Sequence, residues 1–145
     1  MWQQILGRET SKITALYLVW RLTLLFFGFV ALTLLPKVVQ GELIIDSVNF
    51  WQSWANWDGG HFLGLAENGF AHIQQYAFFP AYPALIRLFS PLFLGNFLLT
   101  ALVVTNLSAL FAIILFFKLA RLDFSRERSI QSLTYLLFFP TVLFK

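Results

Sequence analysis

The sequence predicts an all-α integral membrane protein with several spans. Of its 145 residues, 59% are hydrophobic and 12% are charged, a balance that does not suit a soluble domain. Two long apolar stretches are separated by a more polar one, and positive charge collects outside the apolar stretches. The chain has no cysteine, so it offers neither disulfides nor thiolate ligands.

The first predicted span covers about residues 13–35. At roughly 1.5 Å per residue a helix of this length crosses a hydrocarbon core about 30 Å thick. Arg21 interrupts the apolar run and Pro36 ends it. Near one end of a span, a charge of this kind either serves a functional site, pairs with another helix or snorkels to the membrane surface.

The second predicted span covers about residues 94–120, and its first charged residue is Lys118. A third apolar segment, about 130–145, is too short for a comfortable crossing and contains Pro140. We therefore expect residues 1–145 to form a single membrane domain, the front part of a longer multi-span protein. On this interpretation the 145 residues alone are inactive.

The charges predict the orientation of the spans, because short cytoplasmic segments carry an excess of Lys and Arg. Both ends of the chain are then cytoplasmic, and the loop of about residues 36–93 is not. Basic residues flank the two spans at Arg8, Lys12, Lys118, Arg121, Arg126 and Arg128.

Short interfacial helices are expected within the loop. Residues 58–69 predict one, with Asp58 as a possible N-cap and Gly69 as its stop. For residues 77–93 we expect a helix that lies along the interface or re-enters part way. The alternative is an extra span, which its three prolines and Arg87 disfavour.

Asp58 and His61 are the first pair of residues that could carry chemistry. Three residues apart on a helix, they lie on one face with Cβ atoms about 5–6 Å apart. A carboxylate or imidazole in that position can accept a proton from an incoming hydroxyl. The simpler interpretation is a helix cap beside a histidine that donates to a backbone carbonyl, and spacing alone favours it.

Two further side chains could bind substrate. Trp54, with Trp51 and Trp57 at helical spacing, could form an aromatic wall for a sugar ring, although an interfacial anchor is the commoner role of tryptophan. Arg87 could hold a phosphate through its guanidinium, or snorkel to headgroup phosphates.

Other classes of site find no support in the sequence. His61 and His72 make no credible metal set, so no metal site is predicted, and no cofactor is expected. The chain lacks a glycine-rich nucleotide loop and a serine-hydrolase elbow. The sequence has no cluster of basic residues interleaved with polar side chains that could contact bases, so nucleic acid is not expected as a partner.

Three blocks taken together resemble the PIG-V family of membrane mannosyltransferases. They are Asn-Trp-Asp-x-x-His-Phe at 56–62, Leu-Ala-Glu-x-Gly-Phe at 65–70 and Ala-Phe-Phe-Pro-x-x-Pro at 77–83. The same order continues into Ser90-Pro91 and Asn106-Leu107-Ser108. This family resembles the wider GT-C glycosyltransferases, which are multi-helix membrane enzymes with an acidic residue in the first non-cytoplasmic loop.

The resemblance implies transfer of a sugar, mannose by analogy, from a polyprenyl- or dolichyl-phosphate donor to a lipid-linked acceptor. In eukaryotic relatives the acceptor is a glycosylphosphatidylinositol precursor. It implies Asp58 as the catalytic acidic residue, with Trp57 and His61 lining the site. Asp46, earlier in the loop, is the runner-up. Arg87 would stabilise the leaving phosphate.

The partners implied are membrane lipids, the lipid-linked sugar and a lipid or glycolipid acceptor. Whether the reaction uses a divalent metal is not decided by the sequence. The predicted location is the plasma membrane in a prokaryote and the endoplasmic reticulum membrane in a eukaryote. The alternative to an enzyme is a non-catalytic membrane fragment or subunit that binds lipid-linked sugar for a partner.

Overall fold

All regular structure in the described part of the chain is helical. The computed structural model describes residues 2–34, 50–55, 58–71 and 73–138. The α-helices are α1 (Trp2–Leu34), α2 (Asp58–Asn68), α3 (Ala81–Phe89), α4 (Phe97–Asp123) and α5 (Arg126–Phe138). The 3₁₀ helices in these ranges are η1 (Gln52–Ala55), η2 (Ile73–Ala77) and η3 (Ser90–Phe93). The predicted all-α class is confirmed for these residues.

Two of the helices are long and apolar enough to cross a membrane. They are Glu9–Leu34, within α1, and Phe97–Asp123, which is α4. Only 11% and 17% of the residues in their apolar windows are buried, whereas the core helix of a soluble protein would be mostly buried. Apolar side chains that protrude along both helices therefore suit a lipid environment.

The helix bounds differ from the predicted spans for local reasons. The second span was predicted from residue 94, but Leu94 and Gly95 have positive φ angles of 55° and 77°, so α4 begins only at Phe97. Asn96 caps that start, since its Oδ1 accepts the Leu99 N–H at 2.9 Å. Helix α5 begins at Arg126, four polar residues before the start of the third apolar segment at Ile130, so that segment starts inside a helix.

The chain groups into two compact units, and the predicted single domain over 1–145 stays a prediction. One unit comprises Met1–Val30 and Ser108–Lys145, and the other comprises Ala31–Leu107.

The core of the first unit is a cluster on α1, α4 and α5. The buried residues recur three or four positions apart on each helix, so each contributes one face. They are Ile13, Tyr17, Trp20, Ile113, Phe117, Leu133 and Leu137. At the edge of this core, Glu9 Oε1 lies 3.0 Å from Arg126 Nε and joins α1 to α5 by an ion pair.

The second unit packs α2 against α3 and the start of α4. Ala66, Ile86 and Ala101 form its buried cluster. The longest helix between residues 77 and 93 is α3, whose nine residues rise only about 13 Å. It is far too short to cross a bilayer, so the described structure favours short helices in this segment over an extra span.

The C-terminus of α2 is closed by glycine, as predicted. Gly69 has a φ of 74°, and its N–H donates to the Leu65 carbonyl at 3.0 Å. The buried side chain of Gln75 then holds the turn, because its Oε1 accepts the Ala71 N–H at 2.9 Å. This turn directs the chain back along α2 into η2.

Candidate functional site

Helix α2 carries the two central residues of the predicted site. Asp58 is its first residue and His61 lies three positions later, and both are exposed. The structure therefore places Asp58 in the first turn of α2, whereas the sequence had suggested it as the preceding N-cap. Three residues apart on this helix, the two side chains share a face, about 5–6 Å apart at Cβ.

The two residues between them, Gly59 and Gly60, have no side chains that could cover this end of the helix. A Cβ added to Gly60 would meet no atom within 4 Å, which shows free space above the helix. A Cβ added to Gly59 would lie 3.4 Å from the Ala55 Cβ of η1. The surface around Asp58 and His61 is thus accessible on one side and backed by η1 on the other.

An aromatic ring supports the histidine. The imidazole of His61 stacks on Phe78, with ring centroids 5.1 Å apart and an interplanar angle of 24°. Phe78 also meets the edge of Phe62, at 5.1 Å and 73°. Such offset and edge-to-face pairs hold side-chain orientations, so His61 is supported by the segment that follows η2.

The aromatic contacts continue to α4 through Tyr82. Its ring meets Phe62 edge-on, with centroids 5.2 Å apart. Its hydroxyl lies 2.7 Å from Thr105 Oγ1 and donates to the Ala101 carbonyl at 3.3 Å. Successive contacts thus link the histidine to α4. We call this set the His61–Thr105 contact chain; its members are His61, Phe78, Phe62, Tyr82 and Thr105.

The other predicted site residues have different outcomes. Trp54 is half-buried in η1, which packs against α2, and its ring meets Phe50 at 6.2 Å. Arg87 is exposed on α3, and no hydrogen bond or ion pair joins its side chain to Asp58 or His61. Asp46 and Trp57 lie outside the described residues, so their predicted roles stay predictions.

Sequence reasoning missed the residues of the His61–Thr105 contact chain that support His61. The Phe-Phe-Pro block marked Phe78 as part of a motif, but no signal identified His61 as its partner. Thr105 looked like one of several polar residues in an apolar span. Within the described ranges, no group of three or more His, Cys, Asp or Glu is placed to hold a metal ion.

Comparison with protein families shows which family the chain belongs to. The family described as Mannosyltransferase (PIG-V) matches residues 11–144, which is nearly the whole sequence. The chain belongs to the PIG-V mannosyltransferase family. No curated protein and no solved structure matches it.

Membership in the PIG-V family gives the site a chemical context. It indicates a glycosyltransferase, and together with α1 and α4 it indicates a membrane protein. The expectation drawn from the three sequence blocks is thereby confirmed at the level of the family. In this context an exposed carboxylate beside an imidazole is suited to activate a hydroxyl acceptor.

Proposed function

We propose that this PIG-V family member transfers mannose from a polyprenyl-phosphate donor to a hydroxyl of a lipid-linked acceptor. The observation that carries the proposal is the exposed pair Asp58 and His61 on one face of α2, in a chain matched by a mannosyltransferase family over residues 11–144. In a eukaryote the acceptor would be a glycosylphosphatidylinositol precursor at the endoplasmic reticulum membrane. In a prokaryote it would be another lipid of the plasma membrane.

Asp58 is the general base of the proposed step. Its carboxylate takes the proton of the acceptor hydroxyl while the hydroxyl oxygen forms a bond to the anomeric carbon. The bond between that carbon and the phosphate oxygen breaks, and the lipid phosphate leaves with the bonding electrons. A single displacement of this kind inverts the configuration at the anomeric carbon. The donor is a substrate, so the proposed step uses no bound cofactor.

The remaining site residues bind and orient in this proposal. His61, held by Phe78, hydrogen-bonds a sugar or acceptor hydroxyl next to Asp58. Trp54 and Trp57 offer aromatic faces to the sugar ring. Arg87 is exposed and available to pair with the phosphate of the donor, for which a guanidinium is well suited. Asp46 is the second candidate for the base.

The proposal is tested by following labelled mannose from a polyprenyl-phosphate donor into lipid extracts. The protein is expressed from its native genomic reading frame in membranes, and the anomeric configuration of the product is determined. The expected result is an inverted mannosyl lipid whose formation requires Asp58. Donor binding without any transfer would instead support a subunit that holds lipid-linked sugar for a partner.

A further inference from the structure

The outer surface of α3 and η3 is apolar although it faces away from the protein. The inner face of this segment is buried through Pro83, Ile86 and Ser90. On the outer side, Leu85, Leu88 and Leu92 are spaced three and four residues apart, so they lie close together along the segment. Leu88 is 67% exposed and Leu92 is 74% exposed. A segment with apolar side chains on both faces is poorly suited to water.

Leu94, directly after η3, is the least expected residue of this surface. It has a φ of 55°, a left-handed conformation that is unfavourable for leucine, and its side chain is 100% exposed. Glycine would adopt this backbone conformation at lower cost. The backbone therefore gives no reason for leucine here, whereas its isobutyl group is presented outward.

The apolar surface continues directly into a membrane-spanning helix. Only Gly95 and Asn96 separate Leu94 from α4, and α4 is one of the two helices that can cross a bilayer. Leu99 in its first turn is also exposed. Arg87, on the flank of α3, is exposed and forms no ion pair within the described residues. Apolar side chains beside the end of a span, with a cation on the flank, match the boundary between acyl chains and phosphate headgroups.

We propose that α3, η3 and Leu94 form a lipid-embedded platform at the bilayer surface. Leu88, Leu92 and Leu94 enter the acyl region of the leaflet, and Arg87 lies at the level of the lipid phosphates, where the phosphate of the proposed donor would also lie. The opposite face of α3 packs on α2, so the platform fixes the depth of α2 relative to the membrane. This inference stands apart from the proposed function, since it concerns where the segment lies and not what Asp58 does.

Because the chain has no cysteine, single cysteines can report the environment of each position. Leu88→Cys, Leu92→Cys and Leu94→Cys are labelled with a nitroxide in phosphatidylcholine nanodiscs. Collision with oxygen, which concentrates in lipid, is compared with collision with a water-soluble nickel complex. Glu67→Cys on exposed α2 is the control for water, and Leu107→Cys, exposed on α4, is the control for lipid.

The expected result is oxygen-dominated collision at all three positions, close to that of the Leu107 control. Collision dominated by nickel, as at Glu67, would overturn the proposal because the platform would lie in water. Low collision with both reagents would also overturn it, since a second copy or another protein segment would then cover the surface.

A second variant separates the side chain of Leu94 from its backbone. Leu94→Gly keeps the left-handed residue and removes the isobutyl group, so helix content by circular dichroism should stay unchanged. The nitroxide at position 92 should then shift toward the nickel reagent, as the segment loses one of its anchors. An unchanged oxygen preference at position 92 in this variant would remove Leu94 from the platform.

Discussion

The hydroxyl of Tyr82 lies 2.7 Å from Oγ1 of Thr105, and this contact joins α3 to α4, a helix long and apolar enough to cross a membrane. The ring of the same tyrosine packs on Phe62 of α2, the helix that carries Asp58 and His61. One side chain thus connects a polar residue of the apolar helix α4 to α2, the helix of the candidate site. The position of α2 depends on this connection as well as on its buried core.

Tyr82→Phe should reduce sugar transfer by about five- to tenfold, since it removes hydrogen bonds worth about 1 kcal/mol and keeps the ring. Thr105→Val should have a similar effect, and the double variant should be no worse than either single one. Transfer rates in membranes test this. Tyr135→Phe, which changes an exposed tyrosine on α5, is the matched control and should be neutral. Fully additive losses would show that the two hydroxyls act independently.

Phe78→Leu should lower transfer by up to about tenfold, because the stack on His61 contributes about 0.5–1.5 kcal/mol to its orientation. The adjacent Phe79→Leu is the control, since Phe79 is exposed. In a background of His61→Gln, the loss caused by Phe78→Leu should largely disappear. If Phe78→Leu costs the same with and without His61, the ring acts through packing alone.

Asp58→Asn should reduce transfer by about 10²- to 10⁴-fold, because the amide cannot accept the proton of the acceptor. Expression and melting in detergent should change little, since asparagine is similar in size and shape. Glu67→Gln removes an exposed carboxylate from the same helix and should leave transfer unchanged. Asp46→Asn should be milder than Asp58→Asn. A severe loss in Asp46→Asn with activity retained in Asp58→Asn would move the base to Asp46.

Ile86→Ala should destabilise the second unit by about 2–5 kcal/mol, because Ile86 is fully buried against Ala66 and Ala101. Thermal unfolding in detergent, followed by circular dichroism, measures the effect as a lower Tm. Leu88→Ala, two residues further along α3 on its exposed side, should cause a much smaller shift. Equal shifts would mean that α3 packs in solution differently from the arrangement described.

The charge distribution predicts the side on which each segment lies. A thiol reagent that cannot cross the membrane should label Glu67→Cys from the non-cytoplasmic side of intact cells. It should label Glu127→Cys, in the first turn of α5, only after the membrane is opened. Both positions are exposed, so lack of reaction would not result from burial. Labelling of Glu127→Cys in intact cells would overturn the predicted orientation.

The sequence predicted those parts of the fold that depend on residues close together in the chain. The helix from Asp58 ends at Gly69 because a glycine there can adopt a positive φ, and the sequence marks that position directly. The two candidate spans follow from long apolar runs, because a helix pairs its own backbone N–H and C=O groups within lipid. The start of α4 was misplaced by three residues, since the left-handed turn at Leu94 has no sequence signature.

The supports of the candidate site could not be predicted in the same way. Phe78 contacts His61 across a turn, and Tyr82 reaches Thr105 on another helix. Such pairings depend on how α2, α3 and α4 pack. Many other aromatic residues of this chain could equally have been the partner of His61. The reactive residues thus appeared in the motif, whereas the residues that orient them appeared only in the packing.

The core of the first unit has a consequence for biosynthesis. Tyr17 and Leu133 belong to one buried cluster, yet more than a hundred residues separate them in the chain. At a synthesis rate of about 5–20 residues per second, α1 leaves the ribosome on the order of ten seconds before α5. During that interval the surface of α1 around Tyr17 and Trp20 has no native partner from α5. Any insertase or chaperone that accompanies this protein into the membrane would be needed most at that stage.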